Sequence, residues 1–251
     1  ESGVPRADVF LISKVPPEKQ GFVRARGAVA QMLAELETTY VDLCLVHWPT
    51  VANGNTDAYV IVERAGTWRA LEAAHHKGQC RHLGVSNYMP EHLDELLDFA
   101  EVAPAVNQIE YHPYQVDSAT ANFCRMHGIV VQSYGSIGTR GLATDDVVLA
   151  VAKEVQRSPG QVLLRWGLQQ GTMVLPRSSK ETRILENARL WDFELTRAQQ
   201  DRLTALHTGR RSYDDPYSAA FGGYKLRRPW SRWRGIRNTS ATRQAPVKTR
   251  G

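Results

Sequence analysis

The chain has 251 residues, 42% hydrophobic and 23% charged, with a formal charge of +5; this is the balance of a globular protein forming one large α/β domain or two smaller ones. No apolar run approaches the roughly 18 residues that a membrane-crossing helix needs, which sets aside a membrane-embedded function. Cys44, Cys80 and Cys124 are odd in number and widely spaced, which argues against a zinc cluster and a disulfide framework and predicts buried, reduced thiols in a cytoplasmic protein.

In chain order, six short apolar runs each end in a polar or charged group. Val9 to Ser13 runs into Lys14, and Val41 to Val46 into His47-Trp48. His82 to Val85 leads to Ser86-Asn87, and Ala105 to Asn107 to Gln108 and Tyr111. Val130 to Ser133 ends at Tyr134, and Met173 to Leu175 at Pro176-Arg177-Ser178. Between these runs the apolar spacing turns helical. It predicts helices over 22–37 (Val23, Val29, Ala30, Leu33 and Leu36 mostly on one face), 67–77, 90–100, 119–127, 145–156, 159–170, 180–188 and 196–206. Gly78 reads as a C-terminal stop, Pro90 as a first-turn residue and Thr196 as an N-cap.

Strand–helix alternation repeated six times predicts parallel strands joined by helical crossovers. Short strands that are apolar almost throughout are those buried on both faces. A doubly wound sheet and a closed barrel both fit. No G-x-G-x-x-G follows the first strand, and Gly135, Gly138 and Gly141 have the wrong spacing, which favours the barrel. Chemical groups at the C-terminal ends of successive strands are what such a barrel uses to build an active site.

Four stretches sharpen this reading. They are Leu45-Val46-His47-Trp48-Pro49, the run Lys77 to Tyr88 containing Gly84-Val85-Ser86-Asn87, the run Val106 to Pro113, and Val174 to Asn187 with Arg177, Ser178, Arg183, Glu186 and Asn187. In this order they resemble the motifs of the aldo-keto reductase family, over about residues 1–206. The resemblance implies an α/β fold of the parallel (β/α)8 TIM-barrel type with about six of the eight β/α units in this chain. It also implies an NADP(H)-dependent oxidoreductase that reduces aldehydes or ketones to alcohols.

The family's catalytic set is Asp, Tyr, Lys and His. Lys14 and His47 match the last two. The Asp and Tyr fall on and after a second strand whose counterpart would precede Glu1, so this chain is expected to lack them together with two strand–helix units. Hydride delivery to a carbonyl carbon leaves charge on oxygen, and a tyrosine with a pKa near 10 is a poor acid at neutral pH unless a lysine ammonium favours its phenolate. Lys14 would do this, and His47 would polarise the carbonyl oxygen. Without the tyrosine no proton donor is assigned, and the chain alone is expected to be inactive.

By the same resemblance, Ser86, Asn87 and Gln108 would hold the cofactor carboxamide and Tyr134 would stack on its ring. The loop from Gly135 and Ser136 to Gly141 would cover the pyrophosphate. Arg177, Ser178 and Arg183 would hold the 2′-phosphate, Glu186 and Asn187 the adenine, and Trp48 would wall the substrate pocket. Arginine at 177 suits a phosphate and preserves a preference for NADP over NAD. The alternative function is a non-catalytic NADP(H)-binding regulatory or interaction module of the same fold.

The domain is expected to span 1–208, and 209–251 to form a basic, poorly ordered tail. From Pro216 onward there are nine Lys or Arg and no acid, which leaves the first 215 residues at −4. Trp230-Ser231-Arg232-Trp233-Arg234 is the only hint of nucleic acid. The expected partner is a small carbonyl compound, with no membrane. Tyr213 to Tyr217 faintly echoes the family's substrate-shaping C-terminal segment. A six-stranded arc would leave two unpaired edges and an exposed core face.

Overall fold

A computed structural model describes residues 3–52, 56–137 and 141–213. The basic stretch 216–251, the Trp230–Arg234 run and Tyr217 lie outside the described residues, as do 138–140 of the glycine loop. The six apolar runs form six strands: β1 (Ile12–Val15), β2 (Val41–Val46), β3 (Cys80–Ser86), β4 (Val106–Glu110), β5 (Val130–Tyr134) and β6 (Met173–Val174). They make one sheet in the order β1-β2-β3-β4-β5-β6, every pairing parallel. The described strands do not close into a barrel. Exposed apolar side chains mark the open rim: Phe10 is 60% exposed before β1, and Met173 47% exposed on β6.

Among the described residues eight α-helices accompany the strands: α1 (Phe22–Glu35), α2 (Asp57–His76), α3 (Pro90–Phe99), α4 (Ser118–Met126), α5 (Asp146–Val155), α6 (Pro159–Gln169), α7 (Glu181–Ala188) and α8 (Arg197–Thr204). Thr196 caps α8 through a reciprocal capping box with Gln199, and Ser158 caps α6 in the same way with Gln161.

Three expectations change. Helix α1 buries Ala25, Ala28, Val29 and Met32, while Val23 is 80% exposed; the stripe at i, i+3, i+4 and i+7 faces the core, with two alanines letting the helix come close. Helix α2 begins ten residues before Thr67. Its Val60-Ile61-Val62 run and Gly66 are poor helix formers, but Thr56 caps the start by accepting from Tyr59 N. Gly66 is needed where the helix meets α1, since a Cβ there would lie 3.0 Å from Phe22 N. Finally, Cys44 and Cys80 form a disulfide, with Cα atoms 5.7 Å apart, in place of the expected reduced thiols; only Cys124 is a free, buried thiol among the described residues. A separation of 36 residues carries no spacing signal, and the pair meets only because their strands are neighbours.

The apolar groups divide between two faces. Helices cover the outer one, where Val46, Leu83, Val85, Ile109 and Val131 join the main core. On the inner face Leu43, Leu45 and Val106 cluster with Ile12 and Ala105. Gly84 belongs there because a Cβ would lie 2.7 Å from both Leu45 Cδ2 and the Val106 carbonyl oxygen.

Candidate active site

Side chains alternate along a strand, so each residue two places beyond an inner-face position also points inward. Ile12 is followed by Lys14, Leu45 by His47, Gly84 by Ser86, Val106 by Gln108 and Glu110, and Gln132 by Tyr134. Parallel register lines these ends up: Lys14 pairs with Leu45, Ser86 with Gln108, and Gln108 with Gln132. The result is a cavity of about 430 Å³ at the C-terminal mouth of the sheet, lined among others by Lys14, His47, Asn87, Gln108, Tyr134 and Arg177. Trp48, Gly135 and Ser136 also border it.

The polar groups beneath this cavity are cross-bonded. Lys14 Nζ donates to Gln108 Oε1 at 2.5 Å, and Gln108 Nε2 donates to Gln132 Oε1 at 2.6 Å. Ser86 Oγ donates to the Gln108 carbonyl at 2.9 Å and accepts from Asn87 Nδ2 at 3.1 Å. Asn87 also donates to the His47 carbonyl at 3.0 Å, and its Oδ1 accepts from the Tyr134 hydroxyl at 2.7 Å. Its backbone sits at φ 63°, a left-handed conformation that asparagine tolerates better than most residues. Ser136 Oγ donates to the Ser133 carbonyl at 2.7 Å and accepts from Leu175 N at 3.3 Å, tying the loop after β5 to the segment after β6.

Burial sets the charge states. Desolvation pushes the Lys14 ammonium down to about 8. His47 is pushed down to about 4, first by burial and then by the Lys14 charge, with Glu18 opposing. At neutral pH the imidazole is therefore uncharged. No carboxylate among the described residues is in ion-pair contact with Lys14.

The remaining motif residues lie elsewhere. Ser178 Oγ accepts from Lys180 N at 3.1 Å in a local turn. Arg183, Glu186 and Asn187 are on α7, which buries none of its residues. Glu186 borders a second cavity of about 700 Å³ among α5, α6 and α7. None of these four lines the first cavity.

Two further contributors differ in how far the sequence marks them: Gln132 carries no motif signal, and Tyr213 only the faint echo of the family's C-terminal segment. Gln132 backs Gln108, and only the register of β4 with β5 reveals it. Tyr213 forms a wall of the cavity, packed edge-on to Tyr134 at 5.2 Å. Its segment is pinned by Ser212 N, which donates to the buried Glu110 at 2.6 Å, and Glu110 in turn holds His112 at 3.0 Å.

Among the described residues no group of three or more His, Cys, Asp or Glu could hold a metal ion, and no helix is long and apolar enough to cross a membrane.

The family model that matches this chain is described as the Aldo/keto reductase family, over residues 1–208. The chain is 38% identical over 221 residues to the glyoxal reductase of Bacillus subtilis (strain 168), covering 88% of this chain and 76% of that protein. It is 34% identical over 226 residues to the 9,11-endoperoxide prostaglandin H2 reductase of Trypanosoma cruzi (strain CL Brener), covering 89% and 76%. Among solved structures it is similar to an aldo-keto reductase enzyme from a Medee basin deep-sea metagenome library, with a TM-score of 0.78 and 25% identity over 89% of this chain and 79% of that one. An aldo/keto reductase from Brucella melitensis gives 0.74 and 33%, covering 82% and 76%.

Proposed function

The chain belongs to the Aldo/keto reductase family, and from that premise we propose that its cavity is the carbonyl-reduction site of an NADP(H)-dependent oxidoreductase acting on small aldehydes or ketones. The observation that carries this is the convergence of Lys14, His47, Asn87, Gln108 and Tyr134 on one cavity. The donor set fits the cofactor. Two primary amides complement a carboxamide, an aromatic ring offers a stacking face, and Arg177 offers a cation for phosphate. When bound, NADPH supplies the hydride. His47, neutral at working pH, would donate its ring N–H to the carbonyl oxygen and orient it. Trp48 and Tyr213 would shed water from the substrate side. Ser86 keeps Asn87 in place, and Gln132 keeps Gln108 in place. Relatives named as glyoxal and prostaglandin reductases support a carbonyl-type substrate without selecting one.

Among the described residues no proton donor is assigned beside Lys14, so binding of NADPH without turnover is expected. That outcome also fits the second reading, a non-catalytic NADP(H)-binding module. Fluorescence titration with NADPH, run beside a turnover assay on a generic aldehyde, tests the proposal. Binding with no turnover is expected, absence of binding would sink both readings, and protein-dependent NADPH oxidation would sink the claim of inactivity. A cytoplasmic location rests on reading the cysteines as reduced thiols, and the Cys44–Cys80 disulfide weighs against it, because such bonds are rare in that compartment. The domain is taken to reach about 208, with Ser212 and Tyr213 packed back onto it and the basic stretch from 216 as a tail; susceptibility of that tail to limited proteolysis checks this.

A further inference from the structure

We infer that Gln20 and Arg64, neither of which borders the cavity, are positioning residues that hold Trp48 in its wall and so fix the substrate side of the site. A loop leaving a sheet has no ladder partners, so its buried carbonyls need side-chain donors. After β2 four consecutive carbonyls have one each. Asn87 Nδ2 donates to the His47 carbonyl at 3.0 Å. Gln20 Nε2 donates to those of Trp48 and Thr50, at 2.8 and 2.6 Å. Arg64 Nη1 donates to the Pro49 carbonyl at 2.7 Å.

The donors come from three places: the loop after β3, the turn between β1 and α1, and helix α2. Gln20, Arg64 and Trp48 are all buried. A turn pinned from three sides cannot slide or roll without breaking several bonds at once, so its indole keeps one place in the cavity wall. Gln20 keeps both bonds although its Oε1 is buried with no partner among the described residues. An unpaired buried acceptor lowers stability, so this amide carries a cost that anchoring explains and packing alone does not.

Position 64 needs the arginine fork. Nε and Nη2 donate to Glu95 on α3 at 2.6 to 2.9 Å, which leaves Nη1 for the Pro49 carbonyl. A lysine ammonium is a single point of charge and cannot span both partners. The Glu95 pair orients the guanidinium, and the Pro49 bond passes that orientation to the turn. The inference rests on the reductase reading only for what the Trp48 wall faces, a carbonyl substrate.

The anchoring itself is tested without nicotinamide. The chain is produced with fluorotryptophan, and the Trp48 fluorine resonance is identified by its loss in Trp48→Phe. In Gln20→Ala and in Arg64→Lys that resonance should shift and broaden, while that of Trp166, buried on α6, stays in place. The Ala52 amide, bonded to the Pro17 carbonyl at 3.2 Å, reports opening of the turn by hydrogen exchange. Its exchange should rise about thirtyfold in Gln20→Ala, for two lost hydrogen bonds, and about tenfold in Arg64→Lys, for one charge-assisted bond. Glu95→Gln is the control: it weakens the ion pair and lowers the melting temperature, but it leaves Nη1 on Pro49, so the Trp48 resonance should not move. A purely structural role makes the Trp48 resonance follow the loss of melting temperature in all three variants, and that result would overturn the inference. So would an unmoved Trp48 resonance in Arg64→Lys, which decides the matter even if Gln20→Ala does not fold. An anchored Trp48 in a chain that fails to bind NADPH would refute only the reductase reading.

Discussion

The mouth of β1–β5 and the α7 segment both carry residues drawn from the same set of motifs, yet they are held in different ways. At the mouth, Ser86, Asn87 and Gln108 are buried and bonded to one another's strands. On α7 no side chain is buried, and Ile184 and Leu185 are each 53% exposed. The mouth is built by the fold itself. Parallel pairing fixes the register, and strand alternation then decides which face each group meets. The α7 residues are presented on a surface whose arrangement the core does not determine. A site can therefore be preorganised at one end and loosely presented at the other.

The sharpest way to break this contrast is a pair of truncations. Leu45→Ala removes a fully buried inner-face side chain next to Gly84 and should cost about 3 kcal/mol. Ile184→Ala should change stability by less than about 0.5 kcal/mol. Urea unfolding of both variants measures the difference; comparable losses would mean that α7 is as much a part of the core as the strands.

The same contrast explains what was legible from the sequence. Short, mainly apolar runs ending in polar groups mark β1 to β6 even though only some, such as β2, are buried throughout and β1 and β6 are partly exposed, so the strands and the groups at their ends can be read directly. The exposed groups of α7 could be named only through a motif, because nothing local ties Arg183 to a cavity. The start of α2 was hidden by Val60-Ile61-Val62, whose weak helix propensity is overridden by packing against α1. The Cys44–Cys80 bond and the Gln108–Gln132 contact were hidden because they depend on which strands are neighbours, and composition carries no trace of that.

If α7 does contact a 2′-phosphate, Arg183→Ala should weaken NADPH binding about tenfold, corresponding to one lost charge-assisted contact, and leave NADH binding unchanged. Equal affinity for NADPH before and after the change would confine the cofactor to the mouth. A smaller effect of opposite sign should come from Tyr134→Phe. The Tyr134 hydroxyl occupies Asn87 Oδ1, so its removal frees that acceptor. The gain is about 1 kcal/mol, or roughly fivefold tighter NADPH binding, if the ring itself is retained. Weaker binding instead would show that the hydroxyl contacts the cofactor.

The mildest effect concerns pH. His47 has its folded pKa lowered to about 4 by burial and by the Lys14 charge, against about 6.5 in the unfolded chain. Between these values the unfolded state binds more protons than the native one, so stability falls as pH drops from about 6.5 towards 4 and levels off below. The slope contributed by this one half-buried ring should stay under about 1 kcal/mol per pH unit. His47→Gln should flatten that part of the curve while leaving stability at pH 8 nearly unchanged. Lys14 shifts in the same direction, with its window between about 8 and its ordinary 10.5, so its contribution is separated from that of His47 by pH alone. An undiminished slope in His47→Gln would mean that the acid sensitivity arises outside the mouth, and the electrostatic part of the contrast with α7 would fail.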